Sequence, residues 1–365
     1  MTLSDIIKEH IREKGPIPFR DYMEMALYYP SLGYYTSSRN KIGTDGDYYT
    51  SAELSPLFGE LVGKQLEEMW TLLGREDFTV VECGAGKGTL CRDILGYLKN
   101  NSAMYRRLKY CIVERSPVTL AHERSLPGAE VCRYGSLSEL PPFTGCVLSN
   151  ELIDNFSVHR VVMNKELMEV YVDHQDAFTE VLRPASGQLK EYLAELNISL
   201  PEGAQTEINL QALEWLRDIS AVLKKGFVLT IDYGYSAPEM KRYAGRQGTL
   251  LCYHRHRISD RLYESIGEQD ITAHVNFSAL RHWGDRNGLS CCGYTDQARF
   301  LLALGLTDCL RREEARAGSL KAATTLRMIH TLLVDMGGKF KVFAQQKGVS
   351  PAAGLSGMQF ATRRL

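Results

Sequence analysis

Residues 78–89 read FTVVECGAGKGT, an apolar run that turns at glycines and continues into a helix-like run. The glycines at 84, 86 and 88 let the backbone turn sharply and approach a ligand closely, and the helix that follows offers free N–H donors. A dinucleotide-binding fingerprint requires its third glycine at position 89, which is Thr89. A P-loop requires a lysine between its last glycine and the Ser or Thr, and here Gly88 is followed directly by Thr89. The stretch therefore predicts a ligand-binding strand, turn and helix of another class.

Two carboxylates lie near the ends of the first two predicted strands. Glu82 comes just before Gly84, and an acidic residue there suits a ligand that carries a cation better than a pyrophosphate. Glu114 ends the second strand, where its carboxylate can accept hydrogen bonds from both hydroxyls of a ribose. Together with Gly84, Gly86 and Gly88, these residues predict S-adenosylmethionine, which carries an ammonium and a sulfonium group, as the cofactor. The alternative is a tight turn with two surface carboxylates.

Short apolar strands alternate with helix-like runs along much of the chain. The predicted strands are residues 78–82, 110–114, 130–132, 145–149, 226–232, 289–294 and 340–345. This alternation is typical of an α/β fold in which a parallel sheet is covered on both faces. If the last two strands pair antiparallel, the result is a Rossmann-like sheet of seven strands.

The segments outside this alternation suggest the domain organisation. Residues 1–75 are rich in tyrosine and predict an N-terminal cover segment, with a helix from Pro56 to about Leu73. The catalytic domain is then expected at 76–365, with insertions at about 155–225, 234–275 and 296–336.

The third and fourth strand ends supply further candidate site residues, because open α/β sheets bind ligands beyond the carboxyl ends of their strands. Ser136 and Leu137 are placed to bind an adenine ring; the alternative is an ordinary turn. Asn150, Glu151 and Asp154 are the candidate catalytic residues, and Asn150 is also a candidate cofactor ligand. Glu151 and Asp154 would share one face of a helical turn. The competing interpretation is that Asn150 caps a helix whose dipole the two acids complement.

Composition excludes several classes of protein. The 365 residues include 43 basic and 44 acidic side chains, a balance that argues against nonspecific nucleic-acid binding. No apolar run approaches the roughly 20 residues of a membrane helix. The nine cysteines contain no CxxC pair, and the N-terminus does not resemble a signal peptide, so a reducing, cytoplasmic location is expected. His254 and His256 form a His-x-His pair, and His274 is not at a spacing that would identify it as a third metal ligand. This pattern disfavours a metal site.

Several segments together resemble the MidA-like family of S-adenosylmethionine-dependent methyltransferases. The agreement covers residues 46–59, 82–89, 149–159, 248–257, 267–277 and 340–347, nearly the whole chain. The chain differs at Ala52 and Ser157, where proline is common in the family.

The resemblance implies a class I methyltransferase fold and methylation of an arginine in a protein. Mitochondrial members are complex I assembly factors that methylate an arginine of a core subunit, which implies a protein substrate, such as a subunit of a respiratory complex. Tyr49, Thr50, Ser51 and Glu53 would then fold over the cofactor from the N-terminal segment.

An arginine acceptor makes a specific demand on the site. A guanidinium group stays protonated in water, so carboxylates must accept its hydrogen bonds and localise a lone pair on one nitrogen. Glu151 and Asp154 are the candidates, with Glu151 preferred. Two alternatives remain: a methyltransferase acting on a small molecule or another acceptor on the same cofactor site, and a cofactor-binding assembly protein that works by docking a partner.

Overall fold

The computed structural model describes residues 1–38, 41, 46–47, 50–116, 131–243, 247–316, 327–350 and 354–362. The chain forms two compact units. The N-terminal unit comprises Met1–Tyr48, Ile153–Trp215 and Tyr235–His282. The Rossmann-like unit comprises Tyr49–Leu152, Leu216–Gly234 and Trp283–Leu365.

The described part of the chain contains strands and helices of both units. The strands are β1 (Ile17–Pro18), β2 (Phe78–Cys83), β3 (Leu108–Val113), β4 (Val131–Tyr134), β5 (Phe143–Asn150), β6 (His159–Asn164), β7 (Glu166–His174), β8 (Phe178–Pro184), β9 (Gln205–Ile208), β10 (Leu223–Tyr235), β11 (Leu251–His254), β12 (Arg257–Ser259), β13 (Asp270–Thr272), β14 (Val275–Asn276), β15 (Ser290–Asp296) and β16 (Phe340–Lys347). The α-helices are Leu3–Lys14, Phe19–Tyr28, Ser51–Leu54, Pro56–Leu72, Thr89–Leu98, Ser102–Tyr105, Gly187–Glu195, Leu210–Val222, Ala237–Tyr243, Phe277–Arg286, Gln297–Ala303 and Leu306–Arg316. Within these described helices, none is both long enough and apolar enough to cross a membrane.

The large sheet has the strand order β15-β16-β10-β5-β2-β3-β4. The five strands from β10 to β4 are parallel. β16 runs antiparallel to both β10 and β15, so the predicted antiparallel pairing of the last two strands is confirmed. The predicted number of seven strands is wrong, because the two-residue strand β14 is added to the sheet and makes eight. A strand that short has no hydrophobic period for sequence reasoning to detect.

The helices Pro56–Leu72 and Thr89–Leu98 pack in the core of the Rossmann-like unit. Phe58 and Ile94 are fully buried there together with Val80 of β2. The first of these helices begins at the predicted Pro56, and the hydroxyl of Ser55 accepts a hydrogen bond from the Leu57 N–H as its cap. We expected residues 1–75 to form one cover segment. The structure instead divides this segment between the two units, with residues 1–48 in the N-terminal unit and the rest in the Rossmann-like unit. The second part belongs there because it buries its apolar side chains in the core of the large sheet.

The N-terminal unit is built from the first helices and from the segments expected to be insertions. β1, β7, β6 and β9 form an antiparallel sheet in that order, with β8 on β7, and β12, β11 and β13 form a second small sheet. Their core includes the fully buried Phe19, Tyr22 and Met23. The third expected insertion, 296–336, contains helices Gln297–Ala303 and Leu306–Arg316 in the Rossmann-like unit, and its residues 317–326 lie outside the described part.

Gly145 provides a test of the central strand pairing. A Cβ at this position in β5 would lie 1.9 Å from the carbonyl oxygen of Thr79 in β2, so Gly145→Ala should destabilise the fold by about 1–3 kcal/mol or more. Gly96→Ala is the matched control, since a Cβ there meets nothing within 4 Å on an exposed helix face. It should stabilise by up to about 1 kcal/mol. Denaturant unfolding measures both, and a Gly145→Ala protein as stable as wild type would contradict the register.

Candidate active site

The glycine turn connects β2 to the helix Thr89–Leu98. Gly84, Gly86 and Gly88 all have left-handed backbones, with φ of 73°, 56° and 73°, which residues with a Cβ adopt only with strain. A Cβ at Gly84 would also lie 2.7 Å from Cδ1 of Leu152. Glycine is therefore required at Gly84 for two reasons, and the turn exposes backbone N–H groups at a helix start, where anionic or polar ligand groups bind.

Glu82 lies in β2 and is 2% exposed. Its Oε2 accepts a hydrogen bond of 2.6 Å from the hydroxyl of Tyr110 in β3. Burial, followed by the Glu82 charge, raises the pKa of Tyr110 well above its ordinary value, which keeps the phenol protonated as the donor. The structure thus gives Glu82 a partner in the neighbouring strand, which the sequence did not indicate.

Glu114 follows β3 and is half-buried. Its Oε1 accepts a hydrogen bond of 2.9 Å from the Ser116 N–H, and its own N–H donates to the carbonyl oxygen of Tyr134. Both ends of the residue are therefore fixed, and the carboxylate is oriented before a ligand arrives. That arrangement suits the predicted acceptance of ribose hydroxyls.

Ser136 and Leu137 lie at the turn after β4. The Ser136 hydroxyl donates to Glu139 at 3.2 Å and lies 2.8 Å from the Ser138 hydroxyl. Leu137 is buried at the start of a single 3₁₀ turn. A serine that donates its proton within its own turn still presents its oxygen as an acceptor, which is the role an adenine amino group needs.

The segment after β5 is the most constrained part of the site. Glu151 has a φ of 52°, and strained backbones of this kind cluster at functional sites. The Glu151 N–H donates to the carbonyl oxygen of Ile231 at 2.9 Å, and its Oε1 accepts from the Ser51 N–H at 2.8 Å and from Nδ2 of Asn150 at 3.3 Å. Oδ1 of Asn150 is buried and has no hydrogen-bond partner among the described residues. A buried acceptor of this kind fits a ligand that brings a donor.

The expected helical turn from Glu151 to Asp154 is not present. The left-handed backbone of Glu151 breaks it, and a 3₁₀ turn follows at Ile153–Asn155. Asn150 donates to Glu151 and does not cap a helix, so the capping interpretation is also wrong. Asp154 belongs to the N-terminal unit, where its carbonyl oxygen accepts from the Ala273 N–H at 2.9 Å.

The predicted cover residues lie at the start of the Rossmann-like unit. Thr50 caps the helix Ser51–Leu54, and its hydroxyl accepts from the Glu53 N–H. The carboxylate of Glu53 accepts a hydrogen bond of 2.5 Å from the Thr89 hydroxyl, so this short helix is bound to the first turn after the glycines. Tyr49, also predicted, lies outside the described residues.

Asp232, near the carboxyl end of β10, is a candidate site residue that sequence reasoning missed. It is 1% exposed, and its Oδ2 accepts from the Leu152 N–H at 3.2 Å while Oδ1 accepts from the Tyr233 N–H at 2.9 Å. Asp232 therefore holds the segment that carries Glu151. The sequence did contain a signal for Asp232, since it is an acidic residue that follows the apolar run of residues 227–231. Gln297 was also missed: it is fully buried and accepts from the Ser51 hydroxyl at 3.0 Å.

The three histidines considered as metal ligands lie in the N-terminal unit. His274 packs against Tyr235 with ring centroids 5.2 Å apart, and burial lowers the pKa of His274 to about 4. Across the described ranges, no group of three His, Cys, Asp or Glu residues is arranged to hold a metal ion.

Comparison with known proteins gives consistent matches over most of the chain. A model of a family of S-adenosyl-L-methionine-dependent methyltransferases matches residues 61–295. The mitochondrial protein arginine methyltransferase NDUFAF7 homolog of Drosophila melanogaster is 29% identical, covering 96% of this chain and 86% of the relative. The mitochondrial protein arginine methyltransferase NDUFAF7 of Mus musculus is 26% identical, covering 92% of this chain and 82% of the relative. A Burkholderia thailandensis protein described as a methyl transferase, in complex with S-adenosyl-homocysteine, matches with a TM-score of 0.88 at 32% identity, covering 98% of this chain and 95% of that chain.

The predicted cytoplasmic location is wrong by this comparison, because the relatives from both animals are mitochondrial proteins by name. Free cysteines indicate the redox state of a compartment and not which compartment it is. The number and spacing of the cysteines therefore cannot distinguish the cytoplasm from the mitochondrion.

Glu114→Ala tests the cofactor site. Loss of a charged hydrogen-bond acceptor should weaken S-adenosylmethionine binding by about 1.5–3 kcal/mol, roughly 10- to 150-fold. Calorimetric titration measures this directly. Asp77→Asn is the control, since Asp77 is exposed and makes only a surface ion pair with Arg107, which contributes little. Equal affinity in Glu114→Ala and wild type would remove Glu114 from the site.

Proposed function

We propose, from the premise that the chain belongs to the MidA-like family of S-adenosylmethionine-dependent methyltransferases, that it methylates an arginine side chain of a protein. The family and the cofactor are confirmed as the sequence predicted them. The acceptor is our proposal, and it is supported by the names of the relatives, which are protein arginine methyltransferases. A subunit of a respiratory complex is the first protein partner to test.

The observation that carries the proposal is the fixed carboxylate of Glu151. When bound, S-adenosylmethionine would supply an electrophilic methyl group: the acceptor nitrogen would form a bond to it as the carbon–sulfur bond breaks, S-adenosylhomocysteine would leave, and the acceptor would lose one N–H proton to solvent. The protein therefore contributes chiefly alignment and electrostatics. The Ser51 N–H and the Asn150 amide both donate to Oε1 of Glu151. Because these donors and the left-handed backbone at Glu151 fix the carboxylate, it can receive a guanidinium group without first reorganising.

A guanidinium group is cationic and planar, and it donates two parallel hydrogen bonds to a carboxylate. Such a pair fixes the plane of the group and leaves one nitrogen directed away from the carboxylate. We assign this role to Glu151, with Asp154 as the second candidate and Asn150 as the residue that positions the Glu151 side chain.

The cofactor contacts are proposed from the same unit. Glu114 would accept the ribose hydroxyls, Ser136 and Leu137 would border the adenine, and the turn of Gly84, Gly86 and Gly88 would face the amino-acid part of the cofactor. Thr50, Ser51 and Glu53 lie on the short helix that is bound at Thr89. Glu82, bonded to Tyr110, would act through its negative charge.

Glu151→Gln tests the catalytic assignment. The amide keeps an acceptor for the Ser51 N–H but loses the charge that pairs with guanidinium, so cofactor affinity should stay within about twofold while methyl transfer falls at least about 100-fold. Glu76→Gln is the control, because Glu76 is an exposed partner of Arg107. Retained turnover in Glu151→Gln would exclude Glu151 from the role.

The acceptor itself is tested with labelled cofactor and a mitochondrial protein extract, followed by mass spectrometry of labelled residues. Label on an arginine is the expected result. Label on a small molecule, or cofactor binding without any transfer, contradicts the arginine proposal.

A further inference from the structure

Two cysteines lie directly opposite each other in neighbouring strands of the large sheet. Cys111 of β3 is the register partner of Cys132 of β4 in the parallel pairing of these strands. Opposite residues of neighbouring strands project their side chains from the same face of the sheet. The thiol of Cys132 is close enough to that of Cys111 to form a hydrogen bond with it. Both side chains are free thiols, and we name these two residues the cysteine pair.

The spacing of the strands permits a disulfide between the two residues. Neighbouring strands of a sheet lie about 4.7–4.9 Å apart, and the Cα atoms of a disulfide are separated by about 4.4–6.8 Å. The Cβ atoms of a disulfide are closer, at about 3.5–4.5 Å, whereas side chains that leave a sheet side by side keep roughly the spacing of the strands. Formation of the bond therefore requires the two strands to shift locally against each other.

A lysine on the same face of the sheet supplies positive charge beside the thiols. Lys109 precedes Cys111 by two positions in β3, so the two side chains share a face. The charge of Cys111 raises the pKa of Lys109 above its ordinary value, and the charge of Cys132 adds to the rise, while burial opposes it. A cation beside a thiol favours the thiolate, which is the nucleophile in thiol chemistry.

The two cysteines differ in their access to solvent. Cys132 is partly exposed, whereas Cys111 is fully buried. Burial, and then the charge of Cys132, raises the pKa of Cys111 to about 11, and the charge of Lys109 opposes that rise. A dissolved oxidant therefore reaches Cys132 first, and Cys111 is the thiol placed to react with the oxidised Cys132.

We propose that the cysteine pair is a redox-modification site, at which a hydroperoxide converts Cys111 and Cys132 into a disulfide that weakens cofactor binding. Both residues belong to the Rossmann-like unit. The inference rests on the proposed cofactor contacts of that unit, and it does not depend on which acceptor is methylated.

The oxidation takes place in two steps. The Cys132 thiolate attacks one oxygen of hydrogen peroxide, the O–O bond breaks, and Cys132 becomes a sulfenic acid. The hydroxide ion that leaves takes up the proton that Cys132 has released. The Cys111 sulfur then attacks the sulfur of the sulfenic acid, and the S–O bond breaks as the S–S bond forms. The hydroxyl group leaves as water with the proton of the Cys111 thiol, so the two thiols lose two electrons and the peroxide is reduced to two molecules of water.

The strands that carry the cysteine pair end at the proposed cofactor contacts. Glu114 directly follows β3, and Ser136 lies in the turn after β4. The Glu114 N–H donates to the carbonyl oxygen of Tyr134, the last residue of β4, at 3.0 Å, and this hydrogen bond joins the two strand ends. A shift of β3 against β4 therefore moves the Glu114 carboxylate relative to Ser136. Because binding residues must be held within about 0.5 Å of their productive positions, the disulfide should weaken cofactor binding.

The test uses the full wild-type chain, hydrogen peroxide as the oxidant and S-adenosylhomocysteine as the probe of the cofactor site. Proteolysis without reduction, followed by mass spectrometry, should detect a linked pair of peptides that contain Cys111 and Cys132. Calorimetry should show that the oxidised protein binds S-adenosylhomocysteine at least about tenfold more weakly than the reduced protein. A thiol reductant should restore the original affinity.

Variants of single residues identify the thiols involved. Cys132→Ser removes the attacking thiol with little change in size, so peroxide should change its affinity for S-adenosylhomocysteine by less than about twofold. Cys111→Ser should retain Cys132 as a sulfenic acid, which labelling with dimedone detects. Lys109→Gln should slow formation of the disulfide about threefold or more, because the cation beside the thiols is lost. Cys291→Ser, which removes a partly exposed cysteine from another strand of the same sheet, is the matched control and should respond to peroxide like wild type.

The outcomes separate this inference from the proposed function. Oxidised wild type without the linkage of Cys111 to Cys132, or with that linkage and unchanged affinity for S-adenosylhomocysteine, overturns the inference. An equal loss of affinity in oxidised Cys132→Ser also overturns it, because another oxidation would then be responsible. If the linkage forms and weakens binding while Glu114→Ala binds the cofactor like wild type, the proposed contact of Glu114 fails and the inference stands. Methylation of arginine by a protein that forms no such linkage supports the proposed function and overturns the inference.

Discussion

The parallel pairing of β5 between β2 and β10 is the constraint on which the Rossmann-like unit depends. Asn150 is opposite Ile231 of β10, and Ser149 is opposite Cys83 of β2. The three strands approach so closely around Gly145 that a side chain there would collide with a backbone oxygen. Because this register fixes where β5 ends, it also fixes where Glu151 begins its turn.

The carboxylates of the Rossmann-like unit differ in burial and in hydrogen-bond partners, and they therefore differ in their ability to bind a ligand. Glu82 and Asp232 are buried and already bonded to protein groups: Glu82 accepts from Tyr110 of the neighbouring strand, and Asp232 accepts from the N–H of Leu152 in the segment after β5. Glu114 and Glu151 are only partly buried, and backbone N–H groups fix both of them. Glu114 and Glu151 can therefore bind a ligand without reorganisation, since the protein has already restricted the orientation of their carboxylates.

Sequence reasoning was accurate where local signals and tertiary packing agree. The strands from β2 to β5, β10 and β16 were found because they are short apolar runs between helices, and the helix Thr89–Leu98 follows directly from its glycine turn. It failed where a conformation is imposed from outside. The positive φ of Glu151 is stabilised by hydrogen bonds from Ser51 and to Ile231, which are far away in the chain. The strands β6, β7 and β8 of the N-terminal unit were missed although they are consecutive, because residues 155–225 depart from the alternation of strands and helices and were assigned to an insertion. β1 joins β7 from a distant segment, which no local pattern specifies.

The sequence by itself indicated the family, the cofactor and which segments form the strands of the parallel sheet, because motifs, strand-end acids and hydrophobic period are local properties. The tertiary structure alone decided which acids are fixed and which are paired. It gave Glu82 a hydrogen bond from Tyr110, and it joined Asp232 to the N–H of Leu152 in the segment after β5. Electrostatic character depends on burial and on neighbours, and both are set by contacts between segments that the linear sequence does not place together.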